Sequence, residues 1–421
     1  MIRSILEKIL VYFAVNAIKK HKSFIIAITG SVGKTTTREA IYAVLSSKYE
    51  VKRNLKNYNN LLGVSMTILG LPVPYDIVGK VSFIKAFVYF MLGFYKMPSH
   101  FVLEYGADKP DDIDKLASNF RPDVAIVAAI GDTPVHVANY PSVDAVAHEK
   151  ANIIRHLKSG GLAILNKDDK RVLAMSVLTD ATKYLYSRDQ ILDSKFLTDD
   201  GSRLGRHAIV RHGGLNLEFN MYNIISEHQV MDLIPAVVIG DMLGIGREEI
   251  KLALESYRFP SGRMALLKGI KNSILIDDTY NASPLSTAEA LKTFAEIKKV
   301  MVGRRHLAYL GEMKELGEYG PEEHYKIGQL AGEICDELIT VGDDNAIHLI
   351  RGFKSTAPDK RSSIFQKSSE ASEYALRNSR EGDLVLIKGS QSVRMEFIVK
   401  ALLQDKATAS RVLVRQTSDW L

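Results

Sequence analysis

Residues 24–43 read FIIAITGSVGKTTTREAIYA, and this stretch sets the plan of the chain. Its first five residues, 24–28, form an apolar run that predicts a buried β-strand. The turn TGSVGKT follows at 29–35, and residues that favour a helix continue from Thr36. A strand, a glycine turn and a helix start in this order predict a phosphate cradle. The glycines let the backbone approach an anion, and the first helical turn offers unpaired N–H groups.

The cradle predicts a nucleotide site with defined roles for two side chains. Lys34 would place a positive charge on the phosphates, and the Thr35 hydroxyl would ligate Mg²⁺. The full P-loop pattern has glycine at the position of Ile28, so this chain carries only the shorter form G-x-x-G-K-T. Its place between a strand and a helix favours phosphate binding over a chance match. The predicted phosphate-binding residues are Gly30, Ser31, Val32, Gly33, Lys34, Thr35 and Thr36.

Length and composition narrow the class of protein. A chain of 421 residues is long for one domain and comfortable for two or three. The formal net charge of +6 includes no block of Lys and Arg, so we expect no nucleic-acid partner, and an acidic small substrate accounts for the charge. A single cysteine, Cys335, excludes an internal disulfide and a multi-cysteine metal site. We therefore expect a cytoplasmic protein.

Two apolar segments leave a choice open. Residues 1–22 carry apolar side chains near helical spacing among lysines, and residues 81–95 are apolar and aromatic almost throughout. No apolar run reaches the roughly 18–20 residues that span a bilayer, and a strand at 24 replaces the cleavage site of a signal peptide. Each segment is either a helix packed on the protein or a helix at a membrane surface. The second interpretation predicts peripheral membrane contact through 1–22 and 81–95.

The rest of the chain predicts an α/β fold in two large parts. Strands alternate with helices as far as residue 166, which predicts a mostly parallel sheet covered on both faces. The strand 101–104 ends in Glu104, which we expect at the same crevice as Lys34. Short alternating segments at 182–226 predict an antiparallel hairpin region, and 259–263 reads as a hinge. An α/β rhythm resumes at 273. We therefore predict a helix at 1–23, a central ATP-binding domain at 24–258 and a C-terminal Rossmann-like domain at 259–421.

Taken together, a series of strings in this order resembles the Mur ligase family of ATP-dependent amide-bond-forming enzymes, and within it the MurF type. The strings are TGSVGKTTT (29–37), NYNNLLGVSMTIL (57–69), VLEYGADKPDDI (102–113), RPDVAIVAAIGDTPVH (121–136), AHEKANI (147–153), ILNKDD (164–169), GRM (262–264), IDDTYNASP (276–284), LGEMKELGE (310–318) and IKGS (387–390). Ten co-linear strings are far more specific than any one of them.

The resemblance implies a reaction and its cofactors. In such enzymes a substrate carboxylate attacks the γ-phosphate of ATP, and an amine then displaces phosphate from the acyl phosphate, with Mg²⁺ on the nucleotide. MurF-type enzymes add D-alanyl-D-alanine to a UDP-muramoyl tripeptide. The partners implied are therefore a carboxylate-bearing acceptor and an amino acid or dipeptide donor. The protein must orient two polyanions and neutralise growing charge, which calls for Lys and Mg²⁺ rather than a protein nucleophile.

The resemblance also implies metal ligands. Lys34 would bind the β- and γ-phosphates, and Thr35 with Glu104 would hold one Mg²⁺. His136 matches a histidine that ligates a second Mg²⁺, and Lys150 matches a lysine that reacts with CO₂ to give a carbamate. An ammonium repels Mg²⁺, whereas a carbamate presents the oxygens that this hard cation prefers. Without the resemblance, His136 reads as an ordinary loop histidine and Lys150 as a solvated helix lysine.

Further residues match substrate contacts of the family. Asn281, with Tyr280 beside it, resembles the adenine contact from the C-terminal domain. Arg263 resembles an arginine that reaches the phosphates when the domains close. Asn59 and Asn60 match a loop on the acceptor side.

The chain departs from the MurF pattern in three places. Only about two dozen residues precede the first strand, whereas MurF-type enzymes carry a UDP-sugar-binding domain there. Glu312 replaces an aspartate, and the string H-N-x-x-N appears as HQVMD at 228–232. These differences leave open an acceptor without UDP, such as a lipid-linked precursor, a pseudomurein-type peptide or a cofactor acid. They also leave open a nucleotide-binding subunit of a MurT-like amidating complex, although a single cysteine cannot form the usual four-cysteine zinc insert.

Overall fold

A computed structural model describes residues 2–55, 58–72, 77–199, 203–222 and 224–416. Asn57, the first residue of one of the strings above, lies outside the described residues. The sequence also predicts a helix at 61–71 that Pro72 and Pro74 end, and Pro74 lies outside the described residues as well. Within them, sixteen α-helices and fifteen strands form two large sheets and one small sheet.

The helices are α1 Ile2–His21, α2 Lys34–Leu45, α3 Leu61–Leu69, α4 Ile77–Met91, α5 Asp112–Asn119, α6 Val143–Arg155, α7 Lys170–Ala174, α8 Glu227–Met231, α9 Ile234–Met242, α10 Arg247–Ser256, α11 Pro284–Val300, α12 Gly320–Ile334, α13 Ala346–Thr356, α14 Ser368–Asn378, α15 Glu396–Leu402 and α16 Ala409–Val412. The strands are β1 Phe24–Thr29, β2 Val51–Arg53, β3 His100–Glu104, β4 Val124–Val127, β5 Leu162–Asn166, β6 Thr182–Tyr186, β7 Ile191–Asp199, β8 Arg203–His212, β9 Leu215–Met221, β10 Ala265–Lys268, β11 Ile274–Asp278, β12 His306–Gly311, β13 Glu337–Val341, β14 Arg361–Phe365 and β15 Leu384–Lys388.

The first sheet is six-stranded and parallel, in the order β2-β3-β1-β4-β5-β6. Its central strands are apolar on both faces because helices cover both sides, with α2 and α9 on one side and α3, α5 and α6 on the other. The carboxyl ends of β1 and β3 are adjacent, since Ile28 pairs with Glu104. This register brings the P-loop and the Glu104 carboxylate to one edge, as the sequence predicts.

The helix α1 packs on this unit. Leu10, Ala14 and Ala17 are buried on its inner face, which contacts α3. The interpretation as a packed helix is therefore confirmed for one face, and the opposite face is exposed. The helix α4 behaves in the same way, because Phe87 and Phe90 pack inward while Ile84 and Val88 are exposed.

A three-stranded antiparallel sheet, β7-β8-β9, follows the first sheet. The antiparallel region therefore begins at Ile191, not at 182 as predicted. The strand β6 instead continues the parallel sheet through its pairing with β5. Its short, half-exposed sequence resembles a hairpin strand because it lies at the sheet edge.

The second large sheet has the order β10-β11-β15-β12-β13-β14. All its pairings are parallel except that of β10 with β11. A mostly parallel P-loop sheet followed by a second α/β sheet confirms the predicted fold class. We propose a division at 258/259 between a P-loop unit and a C-terminal unit, because α10 ends at Ser256 and β10 begins the second sheet at Ala265.

Two helix boundaries differ from the prediction. The helix α2 begins at Lys34 rather than Thr36, because Gly33 at φ 88° already turns the chain into it. The helix α3 ends at Leu69, where Gly70 at φ 73° forms the C-cap, so glycine and not proline stops it. Among the described residues, none of the helices is both long enough and apolar enough to cross a membrane.

Candidate active site

A cleft of about 390 Å³ lies between the carboxyl ends of the two parallel sheets. On one side it is lined by the P-loop, Asn59, Asn60, Glu104, Asp108 and His136. On the other side it is lined by Arg263, Asp278, Tyr280, Asn281, Glu315 and Lys388. Ligands bind at the carboxyl ends of strands in open α/β sheets, so this cleft is the candidate active site. Of the residues predicted from the sequence, only Lys150 and Gly30 are not on its wall.

The P-loop is held in an open turn. Gly30 at φ 147° and Gly33 at φ 88° adopt backbone conformations that a side chain disfavours. The N–H groups of Ser31 and Val32 donate to the carbonyl of Ala129, at 2.6 and 3.1 Å, which ties the turn to the end of β4. Lys34 Nζ donates to the Gly30 carbonyl at 2.8 Å. Burial lowers the pKa of Lys34, and nearby Glu104 opposes that shift.

The Glu104 carboxylate accepts hydrogen bonds from two residues of α2 and from one residue of the loop before α3. Its Oε2 accepts from Thr35 Oγ1 at 3.0 Å and from Arg38 Nη1 at 3.2 Å, and its Oε1 accepts from Asn59 Nδ2 at 3.2 Å. Burial alone would raise the pKa of Glu104, but Arg38 and Lys34 hold it below the usual value. Glu104 is therefore ionised at neutral pH. A hydroxyl and a carboxylate 3.0 Å apart beside a P-loop form a pair of hard oxygen donors.

Lys150 is buried behind the P-loop rather than solvated. It lies on α6, its side chain is 3% exposed, and its Nζ donates to the Gly30 carbonyl at 3.2 Å. Lys34 donates to that same carbonyl, so two amino groups converge on one oxygen. Burial, followed by the positive charge of Lys34, lowers the pKa of Lys150 to about 7. The interpretation of Lys150 as a solvated surface lysine is therefore wrong.

His136 lies where the two units meet. It has φ 66°, and its ring contacts Glu315 of the C-terminal unit through Nδ1 at 2.5 Å and Asp108 through Nε2 at 3.4 Å. The ion-pair hydrogen bond from His136 lowers the pKa of Glu315. The backbone N–H of Ala138 also donates to the Glu315 carbonyl at 3.2 Å. The LGEMKELGE string thus reaches across the cleft to the RPDVAIVAAIGDTPVH string.

Arg263 makes a second connection across the cleft. Its Nη2 donates to Thr35 Oγ1 at 3.3 Å, and its guanidinium lies 4.0 Å from the centre of the Tyr280 ring. Its backbone carbonyl accepts from Gln229 Nε2 at 3.2 Å, so the HQVMD string supports the arginine although both family asparagines are replaced. Beside Tyr280, the Asn281 side chain accepts from the N–H of Ala282 at 2.9 Å.

No role was predicted for four charged residues of the cleft wall, Asp108, Asp232, Asp278 and Lys388, or for Arg38, which donates to Glu104. One signal was available, because Arg38 follows Lys34 by four residues and so lies on the same face of α2. Lys388 Nζ donates to Asp278 Oδ2 at 2.5 Å, and burial lowers the pKa of Lys388. These two residues are more than a hundred positions apart, so only the pairing of β11 with β15 brings them together.

The residues fit a magnesium ion that is shared with a nucleotide. Mg²⁺ usually takes one or two carboxylates and completes its shell with phosphate oxygens and water. The Thr35–Glu104 pair supplies such donors. Among the described residues, no group of three or more His, Cys, Asp or Glu could hold a metal ion by itself. A site completed by phosphate oxygens is consistent with that finding.

A P-loop that opens on a cleft between two α/β units, with converging Lys, Arg and carboxylate groups, defines a nucleotide-dependent enzyme. Residues 28–240 match the model of the Mur ligase middle domain, and residues 262–391 match the model of the Mur ligase glutamate ligase domain. The chain belongs to the Mur ligase family, and it is an ATP-dependent amide-bond-forming ligase. The resemblance drawn from the sequence strings is confirmed.

Named relatives and solved structures agree with this family assignment. The UDP-N-acetylmuramoyl-tripeptide--D-alanyl-D-alanine ligase of Bacillus subtilis is 28% identical over 381 residues, covering 90% of this chain and 76% of the relative. The MurF ligase of Thermotoga maritima in complex with ADP has a TM-score of 0.76 at 21% identity, over 94% of this chain and 83% of that one. A MurF of Acinetobacter baumannii has a TM-score of 0.77 at 23% identity, over 95% and 81%. The two structural likenesses show the fold.

Proposed function

We propose that this ligase is MurF-like and joins D-alanyl-D-alanine, or a related amino acid or dipeptide, to the carboxylate of a cell-wall peptide precursor. The acceptor carboxylate attacks the γ-phosphorus of ATP, and ADP leaves. The donor amine then attacks the acyl phosphate, releases inorganic phosphate and loses a proton. The names of the relatives support this substrate pair.

In this proposal the nucleotide bridges the two units. Residues 30–36 surround the phosphates with backbone N–H groups and the Lys34 ammonium. Tyr280 and Asn281 hold the adenine side, and Arg263 meets the phosphates from the C-terminal unit. Because the Arg263 guanidinium already contacts Thr35 of the P-loop, it would lie on the side of the cleft where the phosphates bind and could stabilise their charge.

Two magnesium positions fit the remaining residues. Thr35 and Glu104 would hold the first, while His136 and a carbamate on Lys150 would hold the second. When bound, Mg²⁺ neutralises the charge that grows on the transferring phosphoryl group. The pKa of Lys150, about 7, leaves much of its amine neutral at physiological pH, which is the form that reacts with CO₂. His136 would exchange its contact with Glu315 for the metal.

The acceptor would enter beside Asn59 and Asn60. Asn59 is oriented by its hydrogen bond to Glu104, and Asn60 caps α3 by accepting from the N–H of Gly63 at 2.8 Å. The contact of Asn59 with Glu104 supports an acceptor position beside the first proposed magnesium ion. Closing the cleft around them would keep water from the acyl phosphate.

One observation carries the proposal: groups from both units converge on the Thr35–Glu104 pair. Arg263 of the C-terminal unit donates to Thr35, and Asn59 of the P-loop unit donates to Glu104. Phosphoryl transfer needs such convergence, since catalysis depends on positioning and on charge stabilisation.

The test is phosphate release by the purified chain with ATP, Mg²⁺, D-alanyl-D-alanine and a panel of acceptor acids that includes UDP-muramoyl tripeptide. We expect release that requires both acceptor and donor, together with a product whose mass equals their sum minus water. Lys34→Ala should abolish release, whereas Lys170→Ala, at an exposed lysine outside the cleft, should not. Turnover that appears only after a second protein is added would instead identify the chain as a subunit of an amidating complex.

A further inference from the structure

We infer that the exposed face shared by α1 and α4 docks on the surface of a bilayer that contains anionic lipids. This α1–α4 face includes Ile9 and Tyr12 of α1, Ile84 and Val88 of α4, and Leu92 and Phe94 directly after α4. It lies apart from the active-site cleft, because none of these residues is on the cleft wall. The inference does not rest on the proposed ligase reaction.

The apolar exposure of this face is large and local. Tyr12, Ile84, Leu92 and Phe94 are each between 62% and 65% exposed. Single exposed apolar residues are ordinary on soluble proteins, but a run on two touching helices is a patch of the kind that marks an interaction site. The α4 part alone forms an open groove of about 410 Å³.

Aromatic contacts join the two helices into one surface. The Phe13 ring of α1 lies 5.7 Å from that of Phe87 and 6.3 Å from that of Phe90, in edge-to-face geometry. These inward residues fix α4 against α1. The exposed residues of both helices therefore belong to one part of the molecule, where a single extended surface such as a bilayer could reach them.

Charge selects the partner. Lys8, Lys19, Lys20, Lys22 and Lys85 are exposed around these helices, and none forms an ion pair among the described residues. Between 5 and 22 the only acidic residue is Glu7, and between 82 and 96 there is none. A second copy of the chain would bring lysine against lysine, whereas anionic headgroups would neutralise the lysines and the acyl boundary would cover the apolar side chains.

The experiment is flotation of the purified chain with vesicles, in the absence of nucleotide. Vesicles of phosphatidylglycerol and phosphatidylcholine in equal parts are compared with vesicles of phosphatidylcholine alone. We expect binding to the anionic vesicles that weakens as salt is raised, because exposed charges are screened. Each lysine changed to glutamine should weaken binding roughly fivefold, the effect of about 1 kcal/mol per charge.

Matched variants distinguish binding through this face from non-specific adsorption to vesicles. Val88→Ser, Leu92→Ser and Phe94→Ser together should abolish vesicle binding. Val177→Ser, Leu252→Ser and Val302→Ser change equally exposed residues elsewhere, and together they should leave binding intact. All six sites are exposed, so both triple variants should fold, which circular dichroism and phosphate release with soluble substrates would verify.

Three results would overturn the inference. The first is absence of binding to either vesicle type. The second is equal loss of binding in both triple variants. The third is concentration-dependent dimerisation of the chain, measured by sedimentation, that only the α1–α4 variant removes, since this would assign the face to a second copy.

Discussion

Lys150 shows how environment changes the chemistry of a single residue. An exposed lysine stays protonated at neutral pH, but burial and the charge of Lys34 lower the pKa of Lys150 to about 7. Above that pH most of its amine is neutral and reacts with CO₂ to give a carbamate and a proton. Below it the amine is protonated and cannot react. If the carbamate is needed, activity must fall as the pH is lowered through 7.

We therefore predict that phosphate release falls between about pH 8 and about pH 6, and that added bicarbonate at fixed pH restores part of it. Lys150→Ala should lower the rate on the order of 10²-fold, and formate should restore part of that loss, because a small carboxylate can supply the missing oxygens. The matched control is Lys170→Ala, at an exposed lysine.

A further variant distinguishes the carbamate from a simple positive charge. Lys150→Arg retains a cation but cannot form the carbamate, so it should be as inactive as Lys150→Ala. Full activity of Lys150→Arg would refute the carbamate.

At the scale of the element, the junction of β1 with α2 depends on Gly33. Its φ of 88° is strained for any side chain, and an added Cβ would lie 2.4 Å from Asp232 Oδ1. Asp232 is buried, and burial raises its pKa to about 6. The first turn of α2 is therefore fixed from two sides, by the chain conformation and by a carboxylate from the loop after α8.

We predict that Gly33→Ala abolishes detectable ATP binding in calorimetry, because either the loop or Asp232 must move. Gly160→Ala is the matched control: Gly160 has φ 75°, but its Cβ would meet nothing within 4 Å. It should cost only the backbone strain, about 1 kcal/mol, and leave ATP binding intact. If the affinity for ATP is unchanged in Gly33→Ala, then ATP binding does not require the observed conformation of this turn.

The elements that could be predicted from the sequence are those whose residues form a distinct pattern along the chain. The strands β1 and β3 are continuous apolar runs, and each was predicted within one residue of its bounds. The strands β2, β10 and β14 were not predicted, because short edge strands of mixed polarity lack a distinct periodicity. For the same reason β6 was assigned to the wrong sheet.

The residues of the site also differ in whether the local sequence reveals them. The P-loop could be found because its residues are contiguous. Lys150 and His136 could be selected only by resemblance to a family, since nothing local distinguishes them. Asp278 and Lys388 lie in two of the family strings, but their contact could not be predicted, because it exists only once two strands pair. A further limit is burial, which decides the chemistry of Lys150 and is not encoded in its neighbours along the chain.

At the scale of the whole molecule, the two units share a buried apolar cluster and several hydrogen bonds, and three of their contacts involve charged side chains. Two of them, His136 with Glu315 and Arg263 with Thr35, lie in the cleft, where a nucleotide would replace or extend them. The third lies outside the cleft. Arg206 of β8 donates to Glu296 of α11 at 2.7 Å, and its side chain is 2% exposed. Because the Arg206 side chain is buried and lies beside the apolar cluster, we expect this pair to stay in place when the cleft contacts change.

Removing the Arg206–Glu296 pair tests whether it helps to hold the two units together. Arg206 also donates twice to the Ile225 carbonyl, at 2.9 and 2.7 Å, and to Ser194 Oγ at 2.8 Å, so Arg206→Met leaves buried acceptors without donors. We expect a loss of about 2 kcal/mol in the free energy of unfolding, and faster hydrogen exchange in β8 and α11.

The control, Glu296→Gln, removes the charge of the half-exposed partner but keeps an acceptor for Arg206, so it should cost less than Arg206→Met. The KM for ATP should rise in Arg206→Met and not in Glu296→Gln, because a loosened attachment misplaces Arg263 relative to Thr35. If Arg206→Met kept normal hydrogen exchange and a normal KM, the Arg206–Glu296 pair would not be what aligns the two units. Their alignment would then come from the apolar cluster that they share and from the contacts in the cleft.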